Sequence, residues 1–396
     1  MNLMKENSIL LHSEPVRIGF IPLIDCAPFA IAKEKNFFAD EGVDVVLSKE
    51  ASWASIRDKV AFNVLDGAHM LASMPIAATL GIGTIKKAMQ TSFTVSHNGN
   101  GITIGNALYD QLQHYSDSSS DIRTGAALKK LINSRDKTAA PLRFAIVYPY
   151  SSHNYQLRDW LSRVGIDPDN DVQITVVPPV KMIDALKSGE IDGYCVGEPW
   201  NSLAVGQGVG HMLVTGYEIW GSTPEKVFGV NSTWAEQNEP VHLAIIRALE
   251  KACAWVDNTE NQTEFLSILS HPDYLNSTVE QLVYGFSGIK PKGQFDWPME
   301  AYQRFSGREI NKPLPSYALW VMAQMYRWQQ LKQVDSLNSI AEKVYRQDLY
   351  YKALNLEVEK DEAWRLSTVE EPEWLGAVSR GEIRLNAEGI LKGFAK

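Results

Sequence analysis

RFAIVYPYSSHNYQLRDWLSRV, residues 143–164, reads as a buried strand over Phe144 to Tyr148, a short polar loop, and an amphipathic helix opening near Ser152. A strand that feeds a helix in this way leaves backbone N–H groups unpaired at the helix start. It also aims the positive end of the helix dipole at whatever lies above the loop. Such a place can hold an anion. Ser151 and Ser152 can cap the helix, and His153, just inside it, offers an imidazole donor to the same space. On this loop alone an ordinary capped helix with a surface histidine fits as well.

Working outward, the same alternation continues on both sides. Downstream come a strand at 172–177, a helix at 179–188 and a strand at 191–196, and upstream a helix at 124–134. Nearer the N-terminus, VRIGFI (16–21) is a strand, PFAIAKEKNFFADEG (28–42) a helix ended by Gly42, and VDVVL a strand. ASWASIRDKVAF is then a helix, LDGAHML a strand and MPIAATLG a short helix. This pattern predicts two α/β units with mostly parallel sheets, whose ligands sit beyond the carboxyl ends of the strands. Between them lie the extended TSFTVS, the Gly-rich NGNGITIG (98–105), and QHYSDSSSDIRTG, which reads as a surface loop. From about 205 the chain turns helical, over 240–257, 259–270, 277–286, 317–331 and 337–354. Trp234, Trp255, Trp297, Trp320 and Trp328 fall in this part as core aromatics. The last forty residues carry mixed charges and little periodicity; they read as a loose tail or an arm for a partner.

A chain of 396 residues with net charge −9 suits two lobes and an appendage, and does not suit a protein that grips nucleic acid or an anionic membrane unaided. An anion site in such a chain must be enclosed, because local donors then outweigh distant, screened surface charge. The first twenty residues lack the apolar run and cleavage pattern of a signal peptide, and no stretch is long and apolar enough to span a membrane. Cys26, Cys195 and Cys253 are odd in number and widely spaced, which suits reduced thiols. A cytoplasmic address is therefore expected. Nucleotide-loop, HExxH, GxSxG and CxxC patterns are absent, and neighbours such as Ser152 and His153 at a helix start rarely face each other as nucleophile and base. The expectation is a binding protein with no cofactor, not an enzyme.

Four segments in order, IGFIPLIDCAPFAIAKEKNFFADEGVDV, ASWASIRD with DGAHML, NGNGITIG, and IDGYCVGEPWNS, resemble the nitrate- and bicarbonate-binding receptors of ABC transporters. The resemblance runs from about 16 to 350 and implies an α/β fold of the type II periplasmic-binding-protein kind, a two-lobed clamp with a helical C-terminal part. It places crossings near 104 and 205, so that 1–104 with 205–354 form one lobe, 105–204 the other, and 355–396 an extension. It further implies nitrate or nitrite as ligand, held by Trp53, Asn100, His153 and Lys226, with Ser151, Ser152, Gly197, Glu198 and Pro199 around them.

That set makes chemical sense. Nitrate is planar with three oxygens that only accept, so it calls for convergent donors and no facing acceptor. Bicarbonate carries a hydroxyl and tolerates a carboxylate, and an acidic residue replaces Lys226 in its receptors. Lys226 therefore argues for nitrate or nitrite. Two departures stand out: Asn100 replaces a longer amide, and the export signal and lipid-anchor cysteine of the receptors are missing. The second leads to the expectation of a cytoplasmic nitrate/nitrite sensor that sequesters an ANTAR-type RNA-binding antiterminator and releases it on anion binding. The alternative is the solute-binding component of a nitrate or bicarbonate ABC transporter.

Overall fold

The computed structural model describes residues 11–12, 14–83, 85–136, 138–286, 302–332 and 336–358, together with 377, 384–385 and 391–392. Trp297 and most of the extension after 355 lie outside the described residues.

Two sheets carry the architecture. The first contains β1 (Val16–Phe20), β2 (Val45–Lys49), β3 (Gly67–Leu71) and β4 (Met89–Asn98). The second contains β5 (Asn100–Gly105), β6 (Leu142–Ile146), β7 (Val172–Val176), β8 (Gly193–Gly197) and β9 (Gly210–Thr215). The chain then returns to the first sheet with β10 (Pro224–Asn231) and β11 (Gln303–Arg304). The strand orders are β11-β4-β10-β3-β1-β2 and β7-β6-β8-β5-β9. In each sheet the βαβ strands run parallel, and the strand entered directly from a crossing, β10 or β5, is antiparallel to its neighbours.

The passages between sheets differ from the expected ones. β5 is paired on both sides, to β8 and β9, so residues 100–105 and 210–215 belong wholly to the second sheet. The crossings therefore fall at Gly99 and between Thr215 and Pro224, not near 104 and 205. At the first, Asn98 and Gly99 take φ of 60° and 90°. A Cβ on Gly99 would also meet the Gln303 side chain at 2.8 Å, so only glycine suits this position. The two crossings lie side by side: Asn98 N donates to Thr223 O at 3.0 Å, and Thr223 N donates to Asn98 Oδ1 at 3.2 Å.

Several expected helices are broken for local reasons. The 28–42 segment splits into Ala27–Glu34 and Phe37–Asp40 because Asn36 is left-handed, with φ 62°. The 337–354 segment splits into Leu337–Val344 and Gln347–Leu354, where Tyr345 bridges to Thr91 and Arg346 N donates to Thr91 O. Part of QHYSDSSSDIRTG is the helix Ser119–Thr124, started by Ser118, whose hydroxyl accepts from Asp121 N. The helix Pro315–Arg327 has proline in its first turn and packs Tyr317 and Trp320 into the core of the second sheet, where Trp220 meets Trp320 edge to face at 5.5 Å. A further apolar cluster joins the sheets directly, from Trp53, Ile56 and Met74 to Val147, Tyr148, Tyr194 and Val196. No helix among the described residues is long and apolar enough to cross a membrane.

Candidate functional site

The site is built where β10 crosses the mouth between the sheets. Alternation along a strand would send Glu225 and Lys226 to opposite faces. Here the β10–β4 register shifts between Pro224 and Lys226 and again between Lys226 and Val227. Such irregularities re-aim side chains. Both Glu225 and Lys226 are fully buried and bonded to each other at 3.0 Å.

The structure brings the four predicted donors together. Trp53 opens the helix Trp53–Ala61, which Ser52 caps by accepting from Ser55 N, and Lys226 Nζ stands 5.6 Å from the indole centroid. Asn100 is the first residue of β5 and is extended; the left-handed residue of that loop is Asn98. Its Nδ2 donates to Glu225 Oε2 at 2.7 Å and Gln156 Oε1 at 3.1 Å. His153 lies in the first turn of the helix Ser152–Arg163 and is buried, which corrects the surface alternative. Its Nδ1 is 3.6 Å from Glu225 Oε1. Lys226 is no solvated charge, for its Nζ lies 2.7 Å from Asp25 Oδ2.

The surrounding residues divide. Ser151 is the helix cap: its Oγ accepts from Asn154 N at 3.2 Å and donates to Tyr148 O at 2.6 Å. Ser152 Oγ donates to Glu225 Oε2 at 2.5 Å, so a carboxylate of the chain itself stands at the helix start. Gly197 lies among these groups. A Cβ there would come within 3.5 Å of Asn100 Oδ1, 3.7 Å of Asp25 Oδ2 and 3.8 Å of His153 Nε2. Glu198 is buried but engaged elsewhere, accepting from Tyr302 Oη and from Ser202 N, and burial pushes its pKa up to about 7. The Glu198–Pro199 peptide is cis.

Sequence reasoning missed Asp25, His69, Gln156 and Glu225. His69 Nε2 lies 3.0 Å from Asp25 Oδ1, and its ring is 5.5 Å from that of Trp53. Signals for three of them existed: His69 is an ionisable residue inside the apolar strand GAHML, Gln156 is one helical turn from His153, and Glu225 adjoins Lys226. The expectation of a chamber without facing acceptors is thereby corrected: two carboxylates, Asp25 and Glu225, line it.

The electrostatics follow from burial and pairing. Burial alone would raise Asp25, but Lys226 and His69 beside it hold its pKa down at about 2. Burial would lower Lys226, and its two carboxylate partners raise it instead. Burial raises Glu225 despite Lys226. Burial, with Lys226 nearby, keeps His153 well below the usual imidazole value, and burial lowers His69 against the pull of Asp25. Several buried polar atoms of the chamber have no hydrogen-bond partner among the described residues: Trp53 Nε1, both ring nitrogens of His153, Gln156 Nε2 and Asn100 Oδ1. Buried N–H groups left this way are costly unless something accepts from them. A small oxygen-rich acceptor at Gly197 would satisfy donors from both sheets at once.

Two sheets joined by paired crossings around a buried polar chamber define a periplasmic-binding-protein-like clamp. A solved structure of similar shape is the periplasmic nitrate-binding protein NrtA from Synechocystis PCC 6803, with TM-score 0.80 and 31% identity over 95% of this chain and 94% of that one. The chain belongs to the NMT1-like family, whose model matches residues 11–270. Among similar curated proteins are the nitrate import ATP-binding protein NrtC of Synechocystis sp., 37% identical over 85% of this chain and 49% of that protein, and the bicarbonate transport ATP-binding protein CmpC of Synechococcus elongatus, 38% identical over 80% and 46%. The chain thus spans about half the length of these curated relatives.

Proposed function

We propose that this chain binds nitrate or nitrite in the chamber around Gly197 and serves as the solute-binding component of an ABC-type transport system. The observation that carries the reading is the set of buried groups without a hydrogen-bond partner among the described residues, Trp53 Nε1, the His153 ring nitrogens and Gln156 Nε2, gathered with Lys226 from both sheets. They suit an acceptor-only anion, and the names of the similar proteins, nitrate-binding and nitrate import, support that ligand class. Because the bicarbonate relative is equally similar, the ligand assignment rests on the chemistry at Lys226 and on the donors. Calorimetry should give a nitrate Kd on the order of micromolar. Trp53→Phe, which removes the indole N–H and keeps an aromatic ring beside His69, should weaken it by about 1–2 kcal/mol, roughly five- to thirtyfold. Unchanged affinity in that variant would remove Trp53 from the ligand set.

A regulatory use of the same clamp is the second reading. Its support is the acidic excess, 47 Asp and Glu against 38 Lys and Arg, which suits a partner with a basic RNA-binding face. The chain would then act in the cytoplasm as a sensor of the NasS kind, holding a NasT-like ANTAR antiterminator and releasing it when nitrate closes the lobes. A sharp switch of this sort needs the anion to prefer the closed form by about 3–5 kcal/mol. Co-elution with such a partner without nitrate, and separation with it, would establish the sensor. Co-elution unaffected by nitrate would exclude it.

A further inference from the structure

We propose that the chain takes up one proton from solvent with each nitrate or nitrite ion it binds, and that Glu225 carries that proton, turning from a hydrogen-bond acceptor into a donor beside the anion. This rests on the anion-binding reading above and adds to it a proton and its carrier.

The geometry sets up the charge problem. Three formally charged side chains meet in a fully buried space: Lys226 Nζ touches Asp25 Oδ2 at 2.7 Å and Glu225 Oε1 at 3.0 Å. One ammonium between two carboxylates leaves one negative charge over. An incoming monoanion would be the second negative charge in a chamber where no solvent screens either, and like charges this close are not both kept in ionised form. A proton must enter with the anion, and the position of each facing group says where it goes.

Asp25, from the turn after β1, is engaged by both Lys226 and His69, which hold it ionised. His153, from the helix Ser152–Arg163, has its pKa held well below the usual imidazole value by burial and, after that, by the Lys226 charge. The Cys195 thiol on β8 and the Tyr345 phenol also lie in the field of Glu225; burial pushes both upward, so they stay protonated and have no proton to gain. Glu225 remains. Its Oε2 is held by Ser152 and Asn100, while Oε1 faces Lys226 and His153, whose ring nitrogens have no hydrogen-bond partner among the described residues. Burial already favours its neutral form. The step is a single protonation: an O–H bond forms on the Glu225 carboxylate, the proton comes from solvent, and no bond of the anion changes. The protonated acid then donates to an anion oxygen, and the chamber recovers the facing-donor character that nitrate requires.

The test is nitrate calorimetry on the full chain at about pH 7.5 in buffers of different ionisation enthalpy, HEPES and Tris, so that the slope of observed against buffer enthalpy counts protons. The expected result is about one proton taken up per nitrate, with the Kd rising about tenfold per pH unit on the alkaline side. In Glu225→Gln, whose amide supplies a fixed donor, the slope should vanish and affinity should become independent of pH. The wild-type slope stands even if that variant folds poorly. Nitrate binding by the wild type with a slope of zero overturns the proton coupling and leaves the anion reading intact. A slope that persists in Glu225→Gln overturns Glu225 as carrier. Failure of nitrate and nitrite to bind the wild type at any pH overturns the functional reading, and this inference with it.

Discussion

Replacing the Lys226 ammonium with a thioether, as in Lys226→Met, leaves Asp25 and Glu225 as uncompensated buried carboxylates and should cost about 3–5 kcal/mol of stability, read as the shift in urea denaturation. A loss below about 1 kcal/mol would mean that the two acids already sit neutral around it. The pH dependence distinguishes the two partners. Asp25 folds with its pKa lowered to about 2, so the unfolded chain takes its proton first as acid is added. Its contribution to stability is complete above the ordinary carboxylate range and disappears as pH falls towards about 2. Glu225 is shifted the other way, so it adds nothing to acid denaturation and costs stability as pH rises. The residue scale is also where the sequence was least legible. Trp53, Asn100, His153 and Lys226 came from ordered motifs, but nothing in one strand's letters shows that a bulge will turn Glu225 and Lys226 to the same chamber.

Among the elements, the Asn98–Gly99 crossing depends on backbone geometry that few residues can adopt. Gly99→Ala combines a φ of 90° with a Cβ driven into Gln303, and should destabilise by about 1–2 kcal/mol in a thermal or urea melt. A melt identical to wild type would show that the crossing relaxes freely. The alternation of strands and helices was readable because each apolar run has its own period, and the Ser151-capped helix opens at Ser152 as its sequence indicates. The crossings were misplaced by up to a strand because an antiparallel strand next to a crossing, such as β5, has the same letters whichever sheet it joins. The broken helices at Asn36 and Tyr345 answer to a left-handed residue and a bridge to Thr91, and the second is a tertiary contact that no local window contains.

At the scale of the whole molecule, the helix Pro315–Arg327 ties the second sheet's helix to the rest of the chain. Arg327 Nη1 meets Asp159 Oδ1 at 2.8 Å, and Trp220 Nε1 donates to Asp159 Oδ2 at 3.0 Å. Tyr345, which follows the next helix Leu337–Val344, donates from Oη to Ala72 O beside the first sheet. This places a strap along both lobes. The same closely packed interior makes the fold acid-sensitive. Burial holds His97 and His242 at pKa values of about 3, well under the ordinary imidazole value of 6.5. The unfolded chain therefore binds their protons first, so stability should fall as pH drops below about 6.5 and continue falling towards 3. His242→Leu should flatten that slope in urea midpoints measured between pH 7 and 5, and an unchanged slope would show that other groups set it. The most direct measurement of the central claim is a crystal structure of the chain with nitrate. A planar anion is expected beside Gly197, in hydrogen-bond contact with Trp53 Nε1 and the His153 ring; density for nitrate elsewhere, with these groups hydrogen-bonded to water alone, would overturn the assignment.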